Sequence, residues 1–367
     1  MNISILNDTS KTSNWGCAAT VAGLKTALTS ACPGSSLASM ELQPLPYRKI
    51  KLLRARAINR LADCLEDSSH TTSTLVERLQ KLNFNLADYS LPDRLILNGE
   101  GDIHSRSGHL LRLLGIARLF KESGVRVSAV NQSVDLVVGS RQANILNLVY
   151  SALDFVSVRE PVSLRLLEQI GVTNARVVPD AAFSIAPATQ AEKDAVRDKL
   201  KLPERYVCLT GSSDISKRSG DLFIKVYEGL KRVAGLPVIM MASTKTDKAL
   251  ARQLQAHDPS IIVMTDTYDY RSALAVIAES DVLVGGRFHP VIFAAREGTP
   301  VVPFKGNTHK MEGLMELLSY PVEPIDWRVL ADCEARIQYV LNNHQALTQL
   351  LSANSERLSV EVARLAG

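Results

Sequence analysis

Residues 282–296 read Val-Leu-Val-Gly-Gly-Arg-Phe-His-Pro-Val-Ile-Phe-Ala-Ala-Arg. The first three residues favour a buried strand, and the apolar run after Pro290 favours a helix, in whose first turn a proline is tolerated. The stretch therefore predicts one strand–turn–helix unit of a parallel α/β sheet. Helix starts attract anions, so we expect Arg287, with Gly286 and His289, to bind an anionic group. The alternative is a tight turn in which Arg287 is paired with a structural carboxylate.

A second strand–turn–helix pattern precedes it in the chain. The strand Phe155–Val158 ends in Arg159-Glu160-Pro161 and opens another helical stretch. In open α/β sheets, ligands bind at the carboxyl ends of strands, which favours anion binding by Arg159 as well. A simple ion pair between Arg159 and Glu160 is the structural alternative.

Short apolar runs alternate with helical patterns along the whole chain, which predicts parallel sheets built of βαβ units. The predicted strands are Asn2–Leu6, Arg94–Asn98, Arg126–Asn131, Phe155–Val158, Tyr206–Thr210, Pro237–Met241, Ile261–Met264, Val282–Val284 and Pro300–Val302. The clearest helical patterns cover Ser107–Glu122, Val162–Ile170, Gly220–Val233, Ser272–Ala278 and Val291–Arg296.

The proline-bearing and charged segment Ile185–Pro203 suggests a domain boundary. We therefore expect an α/β protein of two Rossmann-like domains, residues 1–185 and 186–367, with parallel sheets that face a central cleft. The helical tail that starts near Trp327 can pack back on the first domain.

The composition of the chain narrows the classes of partner and site that it can have. The 367 residues carry a formal net charge of +4 and are 46% apolar, and the five cysteines show no metal-ligand spacing. So small a charge excess argues against nucleic acid as a partner. The amino-terminal residues read as a strand, which predicts a cytoplasmic protein. Peripheral contact with the inner face of the membrane and the oligomeric state are left open.

Another polar segment follows the predicted strand that ends at Asn98. Glu100, Asp102 and His104, which follow Asn98, are candidates for a general base or acid that acts on a hydroxyl nucleophile. Two alternatives remain, a turn that caps the helix from Ser107 and a divalent-metal site.

Two further positions are candidates because of where they lie in the strand–helix pattern. Asn14, in the first βα loop, could help to hold a substrate. Lys310 opens a helix after the strand Pro300–Val302, where a cation suits a phosphate.

The ordered set of motifs resembles the polysaccharide pyruvyl transferase family. It comprises Asn7 with Asn14-Trp15-Gly16, Asn98-Gly99-Glu100-Gly101, Ser157-Val158-Arg159-Glu160 with Ser163, Val178-Pro179-Asp180, Gly286-Arg287-Phe288-His289 and Asn307-Thr308-His309-Lys310-Met311. The resemblance implies a GT-B-like fold, phosphoenolpyruvate as donor and a sugar diol as acceptor. The first domain is then assigned to the acceptor and the second to the donor, and Asn14, Asn98 and Glu100 become candidates for acceptor binding. Arg159, Arg287, His289 and Lys310 then match the family's donor-binding positions. Glu100 is a departure, since many members have a run of glycines there.

The predicted function is pyruvyl transfer from phosphoenolpyruvate to a sugar of a cell-surface polysaccharide or of its lipid-linked precursor, giving a pyruvate ketal. His289 would contact the phosphate or donate a proton, and neither a metal nor a cofactor is expected. Two alternatives stay open. One is glycosyl transfer from a nucleotide sugar, and the other is a non-catalytic binding protein on the same fold.

Overall fold

A computed structural model describes residues 1–46, 51–67, 69–105 and 107–367. The strands of this part are β1 Asn2–Leu6, β2 Ser36–Met40, β3 Arg94–His104, β4 Arg126–Asp135, β5 Phe155–Val158, β6 Ala175–Val177, β7 Val207–Ser212, β8 Val238–Ala242, β9 Ile262–Thr265, β10 Leu283–Gly286 and β11 Val301–Pro303. Its helices are α1 Trp15–Ala31, α2 Lys51–Glu66, α3 Thr72–Gln80, α4 Leu110–Glu122, α5 Arg141–Tyr150, α6 Pro161–Gln169, α7 Gln190–Leu200, α8 Gly220–Ala234, α9 Lys245–His257, α10 Tyr270–Ala278, α11 Phe288–Glu297, α12 Lys310–Leu317, α13 Leu330–Asn342 and α14 His344–Glu361.

Unit 1 consists of Met1–Thr9, Lys25–Asp180 and Ala363–Gly367. Its six strands form a parallel sheet in the order β2-β1-β3-β4-β5-β6. Leu95, Leu97, Val127 and Ala129 lie on central strands and belong to a core that also includes Leu113 of α4. Apolar runs at these positions are explained by burial of a parallel sheet beneath helices.

Unit 2 consists of Ser10–Leu24 and Ala181–Val362. Its five strands form a parallel sheet in the order β11-β10-β7-β8-β9, which is the Rossmann order. The strands β7 and β8 are buried along their whole length, as are Leu283 and Val284 of β10.

These two parallel sheets confirm the predicted α/β class with two Rossmann-like sheets. Helices α13 and α14 pack against α8 and α11 within unit 2, whereas the last five residues group with unit 1. There Arg94 donates a hydrogen bond to the carbonyl of Ala366. The predicted division into residues 1–185 and 186–367 stays a proposal. No helix among the described residues is long and apolar enough to cross a membrane.

Two strand predictions need correction. The strand predicted to end at Asn98 runs on to His104, because residues beyond Glu100 keep pairing with β4 after a shift in register. Glu100 and Asp102 therefore belong to a strand and not to a loop or a helix cap. The sequence reading also missed β2 and β6, the two edge strands of the unit 1 sheet.

Candidate active site

The carboxyl edge of the unit 2 sheet has a topological switch point between β7 and β10. These strands are neighbours, while β8 and β11 lie on opposite sides of them. The loops that follow are held together, since Ser212 Oγ donates to the Lys305 carbonyl at 2.7 Å and Ser213 Oγ accepts from Asn307 N at 3.1 Å. Ligands bind at such edges in Rossmann-type sheets.

Gly285 and Gly286 permit close packing of the strands at this edge. Gly285 has φ +144°, in the region that favours glycine, and a Cβ there would overlap Thr210. A Cβ on Gly286 would lie 2.5 Å from Ser212 Oγ and 2.8 Å from the Phe304 carbonyl oxygen. The close contacts of Gly286 are thus with the protein itself, and its predicted donor contact stays a prediction.

Arg287 lies at the start of α11 and is fixed by a buried carboxylate. Its Nε and Nη2 donate to Asp247 Oδ1 at 3.1 and 2.7 Å, and Nη2 also donates to Thr244 Oγ1 at 3.0 Å. The Asp247 side chain is fully buried, whereas that of Arg287 is 17% exposed. Nη1 donates to no residue in the described part of the chain. The arginine is therefore both structurally paired and able to bind an anion through Nη1.

The carboxylate that holds Arg287 is itself held by the start of α9. Thr244 and Asp247 form a capping box, in which Thr244 N and Oγ1 donate to Asp247 Oδ2 at 3.1 and 2.8 Å. A Cβ on Gly211 of β7 would overlap Asp247 Oδ1, so a side chain there would displace the carboxylate. The position of Arg287 is thus determined by three neighbouring strand–helix connections.

His289 of α11 packs against α1. Its Nε2 shares a 3.0 Å hydrogen bond with Thr20 Oγ1. A Cβ on Gly16 would overlap the imidazole ring at Nδ1. The absence of a side chain at position 16 therefore makes room for the ring, and Thr20 fixes its orientation.

Asn14 caps α1, an arrangement that sequence reasoning did not anticipate. Its Oδ1 accepts from Gly16 N at 2.9 Å. Trp15 Nε1 donates to the Tyr268 carbonyl at 2.7 Å, and Ser13 Oγ donates to Asp266 at 2.9 Å. These bonds attach the start of α1 to the loop after β9. The predicted acceptor contact of Asn14 stays a prediction, since its side-chain oxygen already serves as the cap.

Lys310 is the first residue of α12, as the sequence pattern predicted, and is partly buried. The preceding loop runs from the end of β11 through Lys305 and Asn307, both of which bond to serines of the loop after β7. Lys310 therefore starts a helix that follows the switch-point loops directly.

The carboxyl edge of the unit 1 sheet carries a buried polar cluster at its own switch point, between β1 and β3. Asn98 Nδ2 donates to Glu100 Oε1 at 3.0 Å, and Thr9 Oγ1 donates to the same oxygen. Asn7 Nδ2 donates to the Asn98 carbonyl at 2.9 Å, and Asn131 Nδ2 donates to Asn98 Oδ1 at 2.9 Å. The strands β1, β3 and β4 thus each supply a polar side chain at one edge.

Three residues of this cluster adopt a left-handed backbone. Asn7, Glu100 and Asn131 have φ of 64°, 42° and 63°. This conformation is uncommon for residues other than glycine, and clusters of it occur at functional sites. The strained conformation of Glu100, whose side chain is buried, therefore favours a functional role for this residue over a simple turn.

Asp102 is involved with two neighbours. Asn7 Nδ2 donates to its Oδ2 at 3.2 Å. Burial lowers the pKa of Arg112 to about 10, and the charge of Asp102 partly opposes this shift. Arg112 is almost fully buried and donates to the carbonyls of Gln43 and Leu82. A counter-ion for this arginine is a structural role for Asp102 that competes with acid–base chemistry.

His104 ends β3 opposite Asp135 of β4, four residues beyond Glu100. Its carbonyl accepts from Ser107 N at 2.9 Å. The structure thus places Asn98 and Glu100 in one hydrogen-bonded cluster, with Asp102 attached through Asn7. The catalytic roles of Glu100, Asp102 and His104 stay predictions.

Arg159 follows β5 as predicted, and its guanidinium is held by buried side chains. Its Nη1 donates to Asp180 Oδ2 at 2.8 Å and its Nε donates to Ser133 Oγ at 2.9 Å. Both members of the ion pair are at most 2% exposed. Glu160, the partner considered from the sequence, instead caps α6 by accepting from Ser163 N at 3.0 Å. The donor-binding role of Arg159 stays a prediction.

Sequence reasoning missed Asp247, Thr244, Thr20 and Asn131. Only the pair at 244–247 had a recognisable signal, the Thr-x-x-Asp spacing of a capping box. Among the described residues, no group of three or more His, Cys, Asp or Glu side chains is placed to hold a metal ion.

The sequence matches the polysaccharide pyruvyl transferase family over residues 14–307, four-fifths of the chain. The chain belongs to the polysaccharide pyruvyl transferase family. Amylovoran biosynthesis protein AmsJ of Erwinia amylovora is 25% identical over 260 residues, which are 63% of this chain and 61% of that protein. The match thus spans less than two thirds of the curated relative. Family membership supports a transferase with a role in polysaccharide modification.

Solved structures show where this pyruvyl transferase family member lies among known folds. UDP-GlcNAc 2-epimerase from Methanocaldococcus jannaschii has a TM-score of 0.57 at 13% identity, with 93% of each chain covered. Anabaena Alr3699/HepE in complex with UDP-glucose has a TM-score of 0.58 at 12% identity, with 100% of this chain and 98% of that chain covered. At these identities the likeness concerns the fold, which is of the GT-B type that the sequence predicted.

Proposed function

We propose that the protein transfers the pyruvyl group of phosphoenolpyruvate to a sugar diol and forms a pyruvate ketal. The observation that carries the proposal is Arg287, held by buried Asp247 with Nη1 left for a ligand, at the switch point of the unit 2 sheet. Phosphoenolpyruvate has a carboxylate and a phosphate, which suit charge-assisted hydrogen bonds from arginine. Membership of the polysaccharide pyruvyl transferase family supports this donor.

The reaction needs one proton donor and one proton acceptor. Protonation of the donor's methylene carbon makes C2 electrophilic, and the first hydroxyl of the acceptor attacks C2. The C2–O bond to phosphate then breaks, and the second hydroxyl closes the ketal. The two hydroxyl groups of the acceptor release two protons. One replaces the proton that was added to the methylene carbon, and the other leaves with inorganic phosphate. We assign the acid or the phosphate contact to His289 and the base to Glu100, with Asp102 and His104 as the other candidates.

The remaining candidate residues are divided between donor binding and acceptor binding. Lys310 and Arg159 complete the proposed donor-binding set together with Gly286, while Asn98 and Asn14 are proposed to contact the acceptor. The acceptor we propose is a cell-surface glycan or its lipid-linked precursor. The reaction is proposed to take place in the cytoplasm, where phosphoenolpyruvate is made.

Glycosyl transfer from a nucleotide sugar is the second candidate. It is favoured by the likeness of the fold to Alr3699/HepE, which was solved with UDP-glucose. In that reaction Arg287 and Lys310 would bind a diphosphate, and Asp102 or His104 would be the base. The donor is therefore the property that separates the two functions.

An assay of both products tests the proposal. The purified protein is incubated with phosphoenolpyruvate and a lipid-linked sugar extract, and inorganic phosphate and the acceptor mass are measured. We expect phosphate release that requires the acceptor, together with a mass gain equal to a pyruvate ketal. Transfer of a hexose from a UDP-sugar, with no phosphate released from phosphoenolpyruvate, would overturn it.

A further inference from the structure

The cations of the chain are unevenly distributed. Residues 42–62 contain six lysines and arginines and no aspartate or glutamate. The chain as a whole has a net charge of +4, so the remainder carries +4 − 6 = −2. Part of this basic segment forms the first half of α2. A local positive potential of this kind attracts an anionic partner even on a nearly neutral protein.

The first half of α2 also exposes leucines. Leu52 is 61% exposed and Leu53 is 40% exposed. The second half of the same helix is different, because Leu61 and Leu65 are fully buried in the unit 1 core. Thus α2 is anchored by its carboxyl-terminal half and presents adjacent leucines beside cations at the other end.

The cations around these leucines are poorly neutralised by the protein. Neither Arg54 nor Arg56 has an ion pair or hydrogen bond within the part of the chain that the structure describes. On α3, Arg78 and Lys81 share the single carboxylate of Glu77 at 3.4 and 2.6 Å. Glu77 also has a weak interaction with Arg60.

The cations and a leucine line one groove. Its volume is about 170 Å³, and its lining residues are Leu53, Arg56, Ala57, Arg60, Arg78 and Lys81. We name these residues, with Leu52, the α2 cationic face. The groove thus brings together four cations and Leu53, one of the two exposed leucines, on one surface of unit 1.

We propose that the α2 cationic face binds the surface of a membrane that contains anionic lipid. Cations attract lipid phosphates, and exposed leucines at a helix end can enter the boundary between headgroups and acyl chains. A nucleic acid or an acidic glycan would satisfy the cations but would leave Leu52 and Leu53 in water. The adjacent leucines therefore favour a lipid surface over these other polyanions.

Vesicle sedimentation tests the proposal. The full chain is mixed with vesicles of phosphatidylcholine, with or without phosphatidylglycerol. We expect binding only with the anionic lipid, weakened by about 0.5 M salt because exposed charges are then screened. R56Q/R60Q removes two cations that line the groove and should weaken partitioning about 30-fold. L52S/L53S should weaken it about tenfold or more by removing the apolar contact.

Two matched variants control for surface change alone. V137S/V138S replaces an exposed apolar pair, 67% and 51% exposed, elsewhere in unit 1. K225Q/R252Q removes two exposed cations of unit 2, on α8 and α9. Both should partition as the unmodified chain does. Equal losses in a control and its test variant would overturn the proposal.

A fluorescent variant gives an independent readout that needs no loss of binding. The native tryptophans, Trp15 and Trp327, are both 2% exposed, so L52W adds the exposed emitter. We expect a blue shift of its emission with anionic vesicles and none with phosphatidylcholine alone. An unshifted emission overturns the proposal. So does binding that is weakened by R56Q/R60Q but not by L52S/L53S, which indicates a soluble polyanion as the partner.

Discussion

Arg287 donates two hydrogen bonds, from Nε and Nη2, to a single oxygen of Asp247, at 3.1 and 2.7 Å. The other carboxylate oxygen accepts from Thr244. One edge of the guanidinium is thereby used inside the protein, and Nη1 is the nitrogen left for a ligand. We infer that Asp247 holds Arg287 in the position in which it binds the donor. Asp247 itself does not need to contact the donor.

Replacing Asp247 by asparagine should weaken donor binding. The amide retains one acceptor oxygen but loses the charge and places an NH₂ group against the donors of Thr244. We expect an approximately tenfold higher Kd for phosphoenolpyruvate, equivalent to about 1.4 kcal/mol, measured by isothermal titration calorimetry.

Glu192 provides a matched control for this variant. Thr189 and Glu192 form the capping box of α7, and Arg271 Nε and Nη2 donate to the Glu192 carboxylate at 2.7 and 2.6 Å. Arg271 Nη1 is taken by the Ala186 carbonyl, so this arginine is engaged within the protein. E192Q should lower stability and leave the Kd unchanged. Similar Kd values for D247N and the unmodified chain would contradict the positioning role.

Glu192 should also make a pH-dependent contribution to stability. Hydrogen bonding to Arg271, opposed by burial, lowers the pKa of Glu192 from 4.5 to about 2. Because the folded state lowers this pKa, the carboxylate stabilises the fold above about pH 4.5, and the contribution is lost as pH falls through about 2. E192Q should therefore cost about 1 kcal/mol at neutral pH and progressively less below pH 4.5, measured by denaturant unfolding. A difference independent of pH would disagree with this ion pair.

A methyl group at position 16 should reduce activity by displacing His289. Gly16→Ala places Cβ where the imidazole lies, although alanine is the better helix former. We expect kcat/KM to fall at least about tenfold. Gly115→Ala in α4 is the control, since its Cβ would meet only the movable side-chain ends of Leu79 at 3.1 Å and Leu61 at 3.3 Å. Comparable activity of both variants would show that the ring position is unimportant.

Glu100 and Asp102 can be separated by conservative substitution. Glu100→Gln preserves an acceptor for Asn98 and removes the base, so kcat should fall about 10² to 10⁴-fold with an unchanged Kd for phosphoenolpyruvate. Asp102→Asn should chiefly lower the melting temperature, because Asp102 favours the charged form of buried Arg112. The reverse pattern in a phosphate-release assay would assign the base to Asp102.

The alternation of strands and helices was predictable because most strands here are short and buried. The two missed strands are sheet edges. Ser36–Met40 is largely exposed along its length, and Ala175–Val177 has only three residues with none fully buried. Neither shows the apolar run that marks a parallel strand covered on both faces. The extension of β3 to His104 was hidden by glycines, which usually indicate a loop.

The positions of the arginines were predictable, and their partners were not. Strand–turn–helix patterns put Arg159 and Arg287 at strand ends, where the structure has them. The carboxylates that fix them, Asp180 and Asp247, lie 21 residues after and 40 residues before in the chain. The pairing of each arginine with its carboxylate depends on the order of strands in the sheet. Local patterns in one sequence do not reveal that order.

The most direct test of the donor assignment is a binding titration with the unmodified chain and Arg287→Lys. Lysine keeps a cation beside buried Asp247 but lacks the second edge of the guanidinium, so the fold should persist. We predict that phosphoenolpyruvate binds the unmodified chain and that Arg287→Lys weakens this binding about tenfold or more. UDP-glucose should bind neither protein. Binding of UDP-glucose without phosphoenolpyruvate, or equal affinity of both proteins for phosphoenolpyruvate, would contradict it.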